Sequence, residues 1–183
     1  LKESFWKPKL ELLLSFFADR LKQYLRDQGK RHDLIDAVFA LGEDDLVAIT
    51  KRVDALSDFL SSEDGANLLA GFKRAVNILK AEEKKHDTEY GGEVDETLLT
   101  DVAEKALYSA LNKGENEAND ALQQENFEAA MTAMSKLRAP IDAFFEDVIV
   151  NADDVAVRQN RLYLLSTIRS VLGRVADFTR IEG

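Results

Sequence analysis

Apolar residues recur at intervals of three and four along almost the whole chain, and only two prolines and nine glycines punctuate its 183 residues. That spacing gathers side chains on one face of a helix and would scatter them over both faces of a strand, so it predicts an all-α fold. Leu10, Leu13, Leu14, Phe17, Leu21 and Tyr24 form the first stripe, and Gly29 stands where a helix stop is expected, giving a helix over about 9–28. A short second helix carries Leu34, Ile35, Val38 and Leu41 and stops at Gly42. A third follows the acidic run Glu43–Asp45, and a fourth runs from the Ser62–Gly65 turn into the polar stretch 82–85. Beyond it, a helix starts at Asp95 or Thr97 and is interrupted at Gly114. A long stripe from Phe127 to Val148 is broken near Arg138 and Ala139 by Pro140, and a last helix uses Leu162 through Phe178. The expectation is a bundle of seven or eight helices forming one domain over 1–183, with its weakest internal seam at 86–96, around Gly91 and Gly92.

Several chemistries are excluded by what the chain lacks. With no cysteine there is no disulfide framework and no thiolate-ligated metal. The two histidines, His32 and His86, fall far short of a metal-ligand constellation, and the adjacent Gly91-Gly92 pair is not followed by the Gly-Lys-Ser/Thr of a phosphate loop. Paired acids such as Asp44-Asp45 and Asp153-Asp154 point about 100° apart on a helix and fit caps better than acid–base work. The serines occur singly on amphipathic segments, with no histidine at recognisable spacing. No apolar run is long enough to span a membrane and no secretory signal is present, so a cytoplasmic location is expected. Leu1 in place of a methionine suggests a piece of something longer.

Charge is where the sequence becomes specific. The net charge of -10 splits into +4 over residues 7–31 and -14 over residues 32–183. The positive segment contains Lys7, Lys9, Arg20, Lys22, Arg26, Lys30 and Arg31. Lys22 and Arg26, four apart, share a helix face, and Lys30 and Arg31 sit at the helix end. Lys73, Arg74, Asn77 and Lys80 form a second cluster opposite a core stripe, and Arg158, Arg161, Arg169, Arg174 and Arg180 a third. On composition alone these are either solvated helix faces, docking surfaces for an acidic partner, or sites that neutralise phosphates. In the last case Tyr24, Gln28, His32 and Asn77 could stack on or hydrogen-bond to unpaired bases. His32 also fits the simpler role of a polar residue in a turn before a helix.

Three stretches carry a resemblance. FFADRLKQYLRDQGKRHDLIDAVFAL, LLAGFKRAVNIL and LRAPIDAFFEDVIVNADDVAVRQNRLYLLSTIR, in that order, closely resemble the C-terminal region of the beta subunit of bacterial-type glycyl-tRNA synthetase. That region is similar to the helical DALR anticodon-binding domain shared with arginyl-tRNA synthetase. The likeness runs from about Phe16 to the end and is weakest over 86–126.

The resemblance implies a DALR-type tRNA-binding module without an active site of its own. Its partners would be a glycine tRNA, whose second and third anticodon bases are both cytosine, the remainder of the beta subunit, and the alpha subunit; no DNA or membrane partner is implied. ATP and magnesium would belong to the parent ligase, with no cofactor in this chain. Carried onto this sequence, it points to Lys22, Arg26, Gln28, Lys30, Arg31 and His32 at a helix end and turn, Lys73, Arg74 and Asn77 on a later helix, and Arg161 as RNA contacts. For Arg161 the alternative is an ion pair with Asp153 or Asp154 at the head of the last helix. The runner-up function is a helical protein-interaction module for subunit assembly.

Overall fold

The computed structural model describes the backbone of residues 3–182 and the side chains of residues 12–182. Eight α-helices make up the described residues: α1 Glu3–Asp27, α2 His32–Phe39, α3 Leu46–Ser61, α4 Glu63–His86, α5 Val102–Gln123, α6 Phe127–Ser135, α7 Arg138–Asp147 and α8 Val155–Leu172. Short 3₁₀ turns at Glu96–Leu98 and Phe178–Arg180 complete the secondary structure, and no strand occurs among these residues. The all-α expectation therefore holds. The Leu10 position of the first stripe, and the cations Lys7 and Lys9, have side chains outside the described residues.

Most helix starts follow from side-chain caps. Asp45 accepts from the N–H groups of Val47 and Ala48, Asp154 from those of Ala156 and Val157, and Asn126 from that of Ala129. Asp101 and Glu104 form a reciprocal capping box at the start of α5. Between α3 and α4 only Ser62 intervenes, accepting from Gly65 N–H at 3.1 Å and donating to the Phe59 carbonyl at 2.6 Å. A Cβ at Gly65 would lie 2.0 Å from that same carbonyl oxygen, so this tight corner requires glycine.

Several boundaries differ from the sequence expectation: α1 begins at Glu3, and the helix expected from Asp95 or Thr97 is a 3₁₀ turn over Glu96–Leu98 followed by α5 from Val102. Gly114 does not interrupt α5; it is buried inside the helix, where its missing side chain admits Leu137 to within 3.1 Å of a would-be Cβ. The break associated with Pro140 falls at Lys136–Leu137, which places the proline in the first turn of α7, where its missing N–H leaves no helical bond unmade. The last helix ends at Leu172, so Val175 and Phe178 reach the core from an irregular tail.

One continuous apolar cluster draws on every helix from α1 to α8 and on the tail, with Phe72 of α4 5.4 Å from Phe178 between ring centroids. The tail is tied down along its length. Asp177 N–H donates to the Ala37 carbonyl at 2.9 Å, and buried Arg52 of α3 donates to the carbonyls of Arg174 and Val175 while stacking on Phe127 at 4.7 Å. Across the 86–96 seam, Asn160 of α8 exchanges two hydrogen bonds with the backbone of Asp95, at 2.8 and 3.0 Å. No described helix is long and apolar enough to cross a membrane.

Candidate nucleic-acid interface

The first basic cluster is shaped by the end of α1. Gly29, at φ +82°, closes the helix with the Lys30 N–H bonded to the Leu25 carbonyl at 3.0 Å and its own N–H to the Arg26 carbonyl at 2.9 Å, the paired pattern of a Schellman stop. This turn leaves Arg26 and Gln28 exposed, and among the described residues neither side chain has a protein partner. Their neighbours are engaged. Lys22 reaches Asp36 at 3.2 Å and the Phe39 ring at 4.9 Å, and Lys30 reaches Asp54 at 2.8 Å.

Arg31 and His32 face the C-terminal tail. Arg31 donates through Nε to Asp33 Oδ1 at 3.0 Å, through Nη2 to Oδ2 at 2.5 Å, and also to the Glu182 carbonyl at 2.6 Å. Asp33 is buried and additionally accepts from the N–H groups of Leu34 and Glu182. Burial alone would push its carboxyl up; the hydrogen bonds from Arg31, Glu182 and Leu34 outweigh burial and hold it below the usual aspartate range. The hydrogen bond to Asp33, reinforced by its charge and that of Glu182, raises the Arg31 guanidinium against the opposing effect of burial. Arg31 still keeps 52% of its side chain exposed. His32 Nε2 lies 3.7 Å from the Glu182 carboxylate.

The second cluster lies on the outer face of α4. Lys73, Asn77 and Lys80 follow one another at i, i+4 and i+7, with no ion-pair partner among the described residues. Arg74 turns sideways into the groove between α4 and α7, its guanidinium 4.4 Å from the Phe145 ring centroid. The groove is narrow because Gly71 faces Ile141, which would meet a Cβ at 2.8 Å. Arg138 borders it but is committed to Asp64 at 3.0 Å and Asp142 at 3.3 Å. The two clusters are not joined by any hydrogen bond; the 3₁₀ turn of the tail packs against both α2 and α4 and links their supports.

The third cluster is a set of internal ties. Arg161, with only 13% of its side chain exposed, donates through Nε to Glu104 and through Nη1 to the Ile149 carbonyl at 2.7 Å. The alternative pairing with Asp153 or Asp154 is not formed: Asp154 is used as the α8 cap, and Glu104 from the α5 capping box takes the arginine. Arg169 is paired with Glu83, Arg174 with Glu115 and Arg180 with Asp177, while Arg158 bonds the Ala152 carbonyl. Two residues not among the sequence candidates bear on the surface: Phe145, on the stripe from Phe127 to Val148, supplies a platform for Arg74, and Glu182 sits on the Arg31–His32 edge. The Glu182 contact joins positions about 150 apart in the chain and has no local signal.

The described residues thus form an all-helical bundle with unpaired cations and amides on two faces, the class of fold expected of a DALR-type domain. The family profile of the DALR anticodon binding domain matches residues 68–182, and the chain belongs to that family. Its likeness to known proteins extends further toward the N-terminus. It is 57% identical over 172 residues to the "Glycine--tRNA ligase beta subunit" of Ruegeria sp. (strain TM1040), covering 93% of this chain and 25% of that protein. It is 56% identical to the proteins of the same name from Phenylobacterium zucineum (strain HLK1) and Cereibacter sphaeroides (strain ATCC 17029 / ATH 2.4.9), with the same coverage. The chain thus spans about a quarter of the length of the curated relatives it matches, in their C-terminal region.

Proposed function

We propose that this chain is the tRNA-binding module of a glycine–tRNA ligase beta subunit and that it holds the anticodon region of a glycine tRNA. The observation that carries the reading is the pairing state of the cations. On an acidic domain of the DALR family, Arg26, Lys73, Arg74 and Lys80 have no carboxylate partner among the described residues, and Gln28 and Asn77 present unused amides beside them. Cations of this kind neutralise phosphates, whereas amides and stacked guanidinium planes read the edges and faces of splayed-out bases. Lys22, Lys30, Arg31 and His32 form the flank of that surface. The ion pairs of Lys22, Lys30 and Arg31 with Asp36, Asp54 and Asp33, and the approach of His32 to Glu182, hold them in place while leaving part of each side chain to solvent.

In this reading the module's contribution is binding. ATP, magnesium and glycine would be handled elsewhere in the parent enzyme, with the alpha subunit. The module would contribute by binding one tRNA more tightly than others, with the surrounding acidic surface penalising phosphates that do not meet the cationic patches. The test is affinity for a glycine tRNA and for the same tRNA with its two anticodon cytosines replaced, across a salt series. We expect the replaced RNA to bind at least tenfold more weakly at every salt concentration. Equal affinity for the two would remove the anticodon from the reading.

A further inference from the structure

The two sides of α1 differ. Lys22 and Arg26 occupy one side, while Leu13, Leu14, Phe16 and Phe17 lie on the other. At 100° per residue those four span an arc of about 160°, adjoining the bundle-facing Leu21 and Leu25. A helix with a single partner needs an apolar stripe of only about 100°. The bundle covers only the C-terminal end of α1, where Leu25 is buried and Leu21 partly so. Upstream of Leu21 the helix overhangs by about 27 Å, and Leu13, Phe16 and Phe17 are 49, 52 and 45% exposed. Short isolated helices are marginal in water, and contiguous exposed apolar surface of this kind marks a contact.

We infer that this apolar side of α1 is a docking surface for the part of the same polypeptide that precedes it in the full-length protein. The curated relatives are about four times as long as this chain, which matches their C-terminal region, so α1 is the element that would join the bundle to the remainder. A segment tethered directly to α1 is present at an effective concentration in the millimolar range, well above that of a second molecule at ordinary protein concentrations. The surface would fix the orientation of the bundle, and with it the cationic side of α1, relative to the rest of the subunit. The inference rests on the beta-subunit part of the proposed function and is independent of RNA binding. A native gene product no longer than this chain would refute that part separately.

The full-length protein tests it without RNA. Phe16→Cys is labelled with a maleimide and read by peptide mass spectrometry, with Val102→Cys on α5, 83% exposed, as the accessible reference. We expect labelling at position 16 to be at least tenfold slower than at position 102 and unchanged on dilution. Labelling at the reference rate would overturn the inference, as would protection that disappears on dilution, which would assign the surface to a second copy. Hydrogen exchange of the unsubstituted full-length protein gives the same test without a mutation. Slow exchange over residues 12–20 is expected, and exchange as fast as in the 87–93 loop would overturn it.

Discussion

Arg26 and Arg161 look alike in the sequence, one closing the first helix and the other expected to head the last, yet the regions around them differ. At the α1–α2 turn the helix is closed by backbone bonds around Gly29, so no side chain is needed for the stop and Arg26 stays unpaired in solvent. At the α5–α8 junction the capping carboxylate Glu104 is fully buried and already accepts from the N–H groups of Thr100 and Asp101. Arg161 is drawn inward to balance its charge. At these two helix ends the difference follows from how each is satisfied: the backbone stop around Gly29 leaves Arg26 unused, whereas the buried carboxylate cap Glu104 recruits Arg161.

The largest expected effect falls on the buried pair. Arg161→Ala should lower stability in chemical denaturation by about 3 kcal/mol, because Glu104 is left as an uncompensated buried charge. The affinity of the remaining folded protein for tRNA should stay within about twofold, since a difference of a few tenths of a kcal/mol is all that a remote site transmits. A large loss of RNA affinity with little loss of stability would reverse the contrast between the two arginines.

Asp33 supports the turn beneath the unpaired region, and Asp33→Asn should cost about 2 kcal/mol by removing charge-assisted hydrogen bonds to Arg31 and to the tail. Its pH signature has a definite sign. The folded-state carboxyl lies below its ordinary value, so its stabilisation is complete above the range where an unfolded aspartate titrates and is lost as pH falls through the lower folded value. Stability of the wild type should therefore decline below about pH 4, and Asp33→Asn should flatten that decline. An unchanged acid profile would show that Asp33 does not hold the tail.

Charge reversal of the unpaired cations comes next. Arg26→Glu with Arg74→Glu should weaken tRNA binding by roughly tenfold or more and reduce the slope of log affinity against log salt by about 2, with little change in melting temperature. The smallest effect is expected from Lys22→Ala, which removes a half-exposed ion pair with Asp36 and should shift stability by no more than about 0.5 kcal/mol. A larger shift would mean that the flank of the surface is as structural as the α5–α8 junction.

Much of the contrast was legible only in part from the sequence. Asp45, Ser62, Asp154 and Gly29 stand immediately beside the helices they start or stop, so their roles are local and readable. The turn carrying Arg26 and Gln28, and the α4 face carrying Lys73 and Asn77, followed from the same periodicity. Gly114 was misread as a break because its purpose is the approach of Leu137 from another helix, and Pro140 was displaced because a proline in the first helical turn costs no hydrogen bond. The partners of Arg161, Arg169 and Arg174 are 57 to 86 residues away in sequence. Nothing in their local spacing distinguishes them from solvent-facing arginines; only the packing of α8 and the following tail against α4 and α5 does so.

Hydrogen-exchange footprinting on a glycine tRNA tests the central contrast most directly, with the full-length protein compared with and without a saturating anticodon stem-loop. The account predicts new protection at residues 24–32 and along the outer face of α4 around 73–80, with the α5–α8 junction around Glu104 and Arg161 unchanged. Protection centred on that junction, with the α1–α2 turn and α4 face unaffected, would contradict it.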